Sequence, residues 1–275
     1  MINLYGGLIL YAVATAFAIW SVRTGDRRGL LTARFGALFG ALDHVAYLVR
    51  IGVQTGHFPV TGAIEAYIFL STAIILVALA LDGMKKWTVI LIATLPLAVT
   101  TSLLALALTG IPESRQDALP VHASSSLWVS LHVATALGSY IAFALAFVSS
   151  ILYLIAQRQL KDHAAASTLG LIPPLETVAR ITRRAIGAGV VLLAGGLLVG
   201  YLQARTAYGL EKWWRNDPKI YLTTATLAAY LIILIMSGRP TFKGRRTALA
   251  SVAGFFLVMA TFWASVFWSD FHKFH

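Results

Sequence analysis

Long apolar runs set apart by short polar stretches dominate the chain, at residues 4–22, 35–53, 63–81, 88–108, 127–155, 185–203, 220–237 and 247–268. A helix needs about 20 mostly apolar residues to cross the hydrocarbon core of a bilayer, and each run is of that order. Lipid offers a peptide group no hydrogen-bond partner, so a run of this length is satisfied as a helix. A membrane barrel would instead show alternating segments of about 10 residues, and the sequence has none. The pattern predicts an all-α, polytopic integral membrane helical bundle of eight transmembrane helices, with residues 1–275 forming a single transmembrane domain. The opening segment MINLYGGLILYAV has no basic stretch and no clear small-residue cleavage site, and is expected to be a retained first span.

Composition agrees: 58% of residues are apolar, 12% are charged, and the mean hydropathy is +0.77. Soluble domains carry about 25% charged residues. The net charge of +11 would suit a nucleic-acid partner if it were clustered on a soluble surface. Here it falls between spans. Connections 23–34, 82–87, 156–184 and 238–246 hold 15 of the 22 Lys and Arg residues, so no nucleic acid is expected and membrane lipid is the main environment. Basic loops stay in the cytoplasm. Both termini are therefore expected on the non-cytoplasmic face of a cell inner membrane. Within 156–184, Pro173-Pro174 is expected to stop the preceding helix. The following LETVARITRR reads either as a basic connector or as an interfacial helix running into the sixth span.

One outer connection breaks the charge rule. The stretch ARTAYGLEKWWRNDPK carries Arg205, Lys212, Arg215 and Lys219 beside Trp213 and Trp214. Aromatic and cationic side chains settle at headgroup depth, which is one reading; a docking surface for an amphipathic anion is the other.

The seven histidines add chemistry. His163 falls in a cytoplasmic connector, whereas His57, His122, His132, His272 and His275 fall in the outer half or beyond it. His44 lies near the middle of the second span, after Asp43 and before Arg50. An ionisable group at that depth is costly unless it faces a polar interior, so His44 is either a functional group or part of an intramembrane hydrogen bond. His132 follows Trp128 at i+4, and His272 follows Trp268 at i+4, so each imidazole would share a helix face with an indole. Zinc sites usually take three or four ligands at short spacings, and these histidines are far apart. Haem suits them better, with axial histidines from different helices, aromatic surface for the macrocycle and cations for the propionates. There are no cysteines, hence no disulfide, no thiolate site and no covalent haem attachment by this chain itself. Gly195-Gly196 and Gly200 read as close helix packing.

Taken together, these residues resemble the haem-handling cytochrome c assembly membrane proteins, the CcsA/CcmC/HemX-like group. The resemblance is carried by His44 with VAYLVR, then GHFPVTGAIEAYIFLS, LWVSLHVATALGSYIAF, WWRNDPK and the C-terminal histidines, in that order. It implies b-type haem held at the outer face, with His132 and His272 as axial ligands and His275 as a substitute. It further implies Trp213 and Trp214 against the haem, Asp217, Pro218 and Lys219 shaping the loop, and His44 as an internal relay ligand. The implied partners are haem and an apocytochrome c or another assembly subunit, and no chemical turnover is expected from this chain alone. Asn216 and Ile220 depart from the family's usual tryptophan and glutamate, which speaks against full cytochrome c synthase activity, and the short form is expected to be more like the HemX-like branch or a single assembly subunit. Two other readings stand beside this one: a haem-free scaffold or regulatory subunit with the same fold, and, from His44, Asp43 and Arg50, a small-molecule transporter.

Overall fold

The structure is a computed structural model that describes residues 2–56, 58–60, 62–85, 87–109, 127–161, 172–208 and 218–267. The described residues form eight helices: α1 Ile2–Thr24, α2 Arg27–Thr55, α3 Ala63–Lys85, α4 Thr88–Leu108, α5 Leu127–Lys161, α6 Leu175–Tyr208, α7 Pro218–Met236 and α8 Arg245–Phe267. All eight are long and apolar enough to cross a membrane, so the fold is all-α and multi-pass, as the apolar runs predict.

Several helices begin well before their apolar runs. The 23–34 connection is mostly helix: α1 and α2 are parted only by Gly25 and Asp26. Gly25 ends α1 at φ +74°, a backbone angle that suits glycine, and its N–H donates to Ser21 O at 2.9 Å. Asp26 caps α2, its carboxylate accepting from the Arg28 N–H at 2.9 Å. Likewise α6 starts at Leu175, not near 185, so LETVARITRR is its first turns. Pro173-Pro174 stands immediately before that start, and the Pro174 carbonyl accepts from the N–H groups of Thr177 and Val178. The physical reason is the same at both sites. Arginine is a good helix former whose stem lies along apolar surface while its charge reaches water, so a helix continues through the headgroup layer where hydropathy falls.

The chain divides into two compact units, Met1–Val60 with Ile64–Ile111 and Leu152–Val178, and Thr61–Ala63 with Pro112–Ile151 and Ala179–His275. In the first unit α1 and α2 form a tight antiparallel hairpin. Gly29, Ala33, Ala37, Gly40, Ala41, His44 and Leu48 make one buried stripe along α2, and small residues of this kind let backbones approach. A Cβ on Gly40 would stand 2.7 Å from the Tyr11 ring. Where the hairpin meets α3 and α4, Arg34 grips Asp82 with both nitrogens, Nε to Oδ2 at 2.6 Å and Nη2 to Oδ1 at 3.0 Å. Thr88, the first residue of α4, accepts from Arg34 Nη2 at 2.8 Å and donates to Asp82 Oδ1 at 2.7 Å.

The second unit is built on aromatic contacts among α5, α7 and α8. Phe143 stacks on Tyr230 with centroids 3.8 Å apart, and Phe147 stacks on Phe255 at 4.4 Å. Tyr140 meets Phe262 edge-on at 5.6 Å. Gly189 of α6 leaves the space that the Phe143 ring fills. Thr226 and Thr261 share a hydrogen bond at 3.0 Å between α7 and α8.

Asp82 is 6% exposed and its Arg34 partner 39%, so the pair is only partly screened. Asp82→Ala takes the counter-charge from the guanidinium and the acceptor from the Thr88 hydroxyl. It is expected to lower stability by about 2 kcal/mol, below the range for a fully buried pair because water reaches Arg34. Thermal unfolding in mild detergent checks this, with Thr88→Val expected to cost less.

Candidate haem-ligand site

In the second unit, α5 brings His132 against α6 one turn below Trp128. The ring is half-buried. Its Nδ1 lies 2.7 Å from the carbonyl oxygen of Gly196. A carbonyl only accepts, so Nδ1 is the donor and carries the proton. In a neutral imidazole that leaves the lone pair on Nε2, on the side of the ring turned from the carbonyl. Two glycines one turn apart on α6 make this approach possible. A Cβ on Gly196 would come within 3.0 Å of Thr135 Oγ1, and one on Gly200 would stand 2.7 Å from both Cε1 and Nδ1 of His132. Any larger residue at 200 would push the ring off its carbonyl.

This is the arrangement that a metal-ligating histidine needs. One ring nitrogen is held by a backbone carbonyl, which fixes tautomer and orientation and raises the basicity of the other. The His132 environment therefore fits one axial position of a haem iron. Trp128 is 57% exposed and offers aromatic surface one turn away on the same helix. The Lys219 ammonium acts electrostatically on the His132 ring. Pro218 and Lys219 are the first turn of α7, not loop residues. Proline suits a first helical position, where its missing N–H costs nothing, and the Lys219 carbonyl accepts from Thr223 Oγ1 at 2.6 Å. Trp213, Trp214, Asp217, His272 and His275, together with His57, His122 and His163, lie outside the described residues.

His44 is placed differently. It belongs to the first unit and is fully buried, at 0% exposure. Its Nδ1 lies 3.3 Å from Ser71 Oγ of α3, and the Tyr11 ring of α1 meets it edge-on with centroids 5.2 Å apart. Gly7 of α1 backs onto its Cδ2–Nε2 edge. Arg50 does not share this surrounding, because it is exposed while His44 is enclosed. The group of His44, Asp43 and Arg50 that suggests a transport path is thus not assembled on one face. Sequence reading missed Ser71, Tyr11 and Gly7 around His44 and the Gly196 carbonyl at His132. The available signal was the small-residue spacing on α2 and α6.

A family model described as cytochrome C assembly protein matches residues 60–272. The chain belongs to the cytochrome c assembly protein family. The match takes in His132, the tryptophan stretch and His272, and begins after His44. The chain is also similar, along most of its length, to proteins named cytochrome c biogenesis protein CcsA. That of Synechococcus sp. (strain CC9605) is 26% identical over 92% of this chain and 89% of its own length. Those of Prochlorococcus marinus (strain MIT 9303) and Synechococcus sp. (strain CC9311) are each 28% identical, over 93% and 91% of this chain and 86% and 88% of their own lengths. The protein is therefore a multi-pass membrane member of a family associated with haem handling in cytochrome c maturation.

Gly200→Ala forces a Cβ into the His132 ring and is expected to lower stability by about 1–2 kcal/mol, as overpacking does. Gly195→Ala is the control, since a Cβ there meets nothing within 4 Å. Paired melting curves of the two variants check the difference.

Proposed function

We propose that this protein serves cytochrome c biogenesis by holding b-type haem at the outer face of the inner membrane and presenting it for attachment to an apocytochrome c. The observation that carries this reading is the His132 Nδ1 contact with Gly196 O at 2.7 Å. It leaves Nε2 as the ligating atom, already oriented before any haem arrives. His132 supplies one axial ligand and His272 the other, with His275 as a substitute. Trp213 and Trp214 cover the macrocycle, Asp217 shapes the approach to α7, and Lys219 pairs with a propionate. Bound haem supplies the vinyl groups that a c-type cytochrome joins to its thiols. This chain has no cysteine, so those thiols come from the apocytochrome, and a partner assembly subunit completes the reaction. The chain's own contribution is binding and orientation.

The haem-free scaffold is the competing reading, favoured by Asn216 in place of the family's tryptophan. The visible spectrum separates the two. Protein extracted in mild detergent from haem-replete cells is expected to show a Soret band. His132→Gly is expected to remove most of it, and added imidazole to restore it. A folded wild-type protein without that band, under reducing and haem-replete conditions, decides for the scaffold.

The outer location follows from basic connections held in the cytoplasm. A periplasm-dependent reporter fused after His275 is expected to be active, and the same reporter inserted at Lys243, between α7 and α8, inactive. The reverse pattern would put His132 on the cytoplasmic side.

A further inference from the structure

The second span's histidine sits in a region with no room for iron. Along α2 the buried stripe is made of small residues except at His44 and Leu48, so the imidazole projects from α2 as a knob. On α1 the residue facing it is Gly7, and a Cβ there would collide with Cδ2 and Nε2 and come within 2.9 Å of Cγ. The hole that receives the knob is thus the bare backbone of α1. Tyr11, one turn further along α1 and 0% exposed, closes one face of the ring edge-on. Ser71 of α3 takes Nδ1. Its hydroxyl also reaches the Ile68 carbonyl at 2.9 Å, so the contact is anchored in the α3 backbone. Gly6 stands against Asp43 in the same way, less closely, with a Cβ there 2.8 Å from Oδ2. Two successive glycines therefore seat α1 on two successive polar residues of α2.

An axial bond would put iron against Nε2 with the macrocycle spread across it. That is the volume now held by the α1 backbone. The helix cannot yield by a side-chain rotation, because glycine has none to rotate. We infer that His44 is not a haem ligand in this protein but the buried clamp that fixes α1 to α2 and α3, with Gly7 as its socket. The inference rests on the haem-binding reading only for its spectroscopic test; the packing stands without it. Haem binding is then confined to the outer set around His132, with one haem per chain.

Asparagine is the discriminating substitution, since its amide mimics the Nδ1 side of histidine and lacks Nε2. His44→Asn is expected to keep the wild-type haem-to-protein ratio and Soret maximum, whereas His132→Gly loses haem. A folded His44→Asn protein that loses haem, or a wild-type ratio of two haems with one removed by this substitution, overturns the clamp. A second measurement decides if that variant does not fold or if the wild type carries no haem. Diethyl pyrocarbonate labelling of membranes prepared from haem-depleted cells is expected to spare His44, to modify it after unfolding in SDS, and to reach it more readily in Gly7→Ala. Prompt labelling of His44 in the folded, haem-free wild type overturns the inference, whatever the fate of the haem reading.

Discussion

A charged side chain or an imidazole inside a lipid-solvated bundle has to find its partner on another helix, because lipid offers none, whereas a Ser or Thr hydroxyl can also donate to a carbonyl of its own helix, as those of Thr72 and Ser102 do. That constraint organises each unit of this structure. Arg34, Asp82 and Thr88 join α2, α3 and α4; Thr226 and Thr261 join α7 and α8; His44 meets Ser71, and His132 meets a backbone carbonyl. At the two histidines the contact also requires the helix backbones to come close, and glycines decide where they can.

The two intramembrane histidines show how much depends on which ring edge a glycine faces. At His132 the glycines of α6 lie along the Nδ1–Cε1 edge, with Gly196 offering its carbonyl and Gly200 its bare Cα. The packing that holds the ring thereby engages Nδ1 and puts Nε2, the atom proposed to ligate haem iron, on the opposite edge of the ring. At His44 the glycine of α1 lies along the Cδ2–Nε2 edge, while Nδ1 is held by Ser71. There the same packing device seals the atom that would bind metal. Residue type is alike at the two positions, and the chemistry proposed for them is opposite.

Sequence and structure agree on the number and kind of helices because hydropathy measures the cost of burying peptide and side chain in lipid, and that cost is large. They part at the helix ends. Arg27 and Arg28 in α2, and Arg180, Arg183 and Arg184 in α6, lower local hydropathy without interrupting the helix. Pro218 looks like a loop residue by composition, yet it is the first residue of α7. His132 is legible as a candidate from its place beside Trp128 at the outer end of a span. Its partner is not, since every residue has a carbonyl and no letter of the sequence marks the Gly196 one. For His44, depth alone signals importance. Only the register of α1 against α2, which no single span encodes, reveals what kind.

The position of Gly7 opposite His44 also bears on why the first helix is present. The family model begins at residue 60 and leaves α1 and α2 aside, although the similarity to the CcsA proteins extends over more than nine-tenths of the chain. A helix whose only task was to anchor the chain in lipid would need no fitted surface. On α1, by contrast, Gly6, Gly7, Tyr11 and Ala14 each meet a particular residue of α2, at Asp43, His44, Gly40 and Gly36. The first hairpin is therefore a specified part of the fold, and its histidine is explained by the helix that covers it.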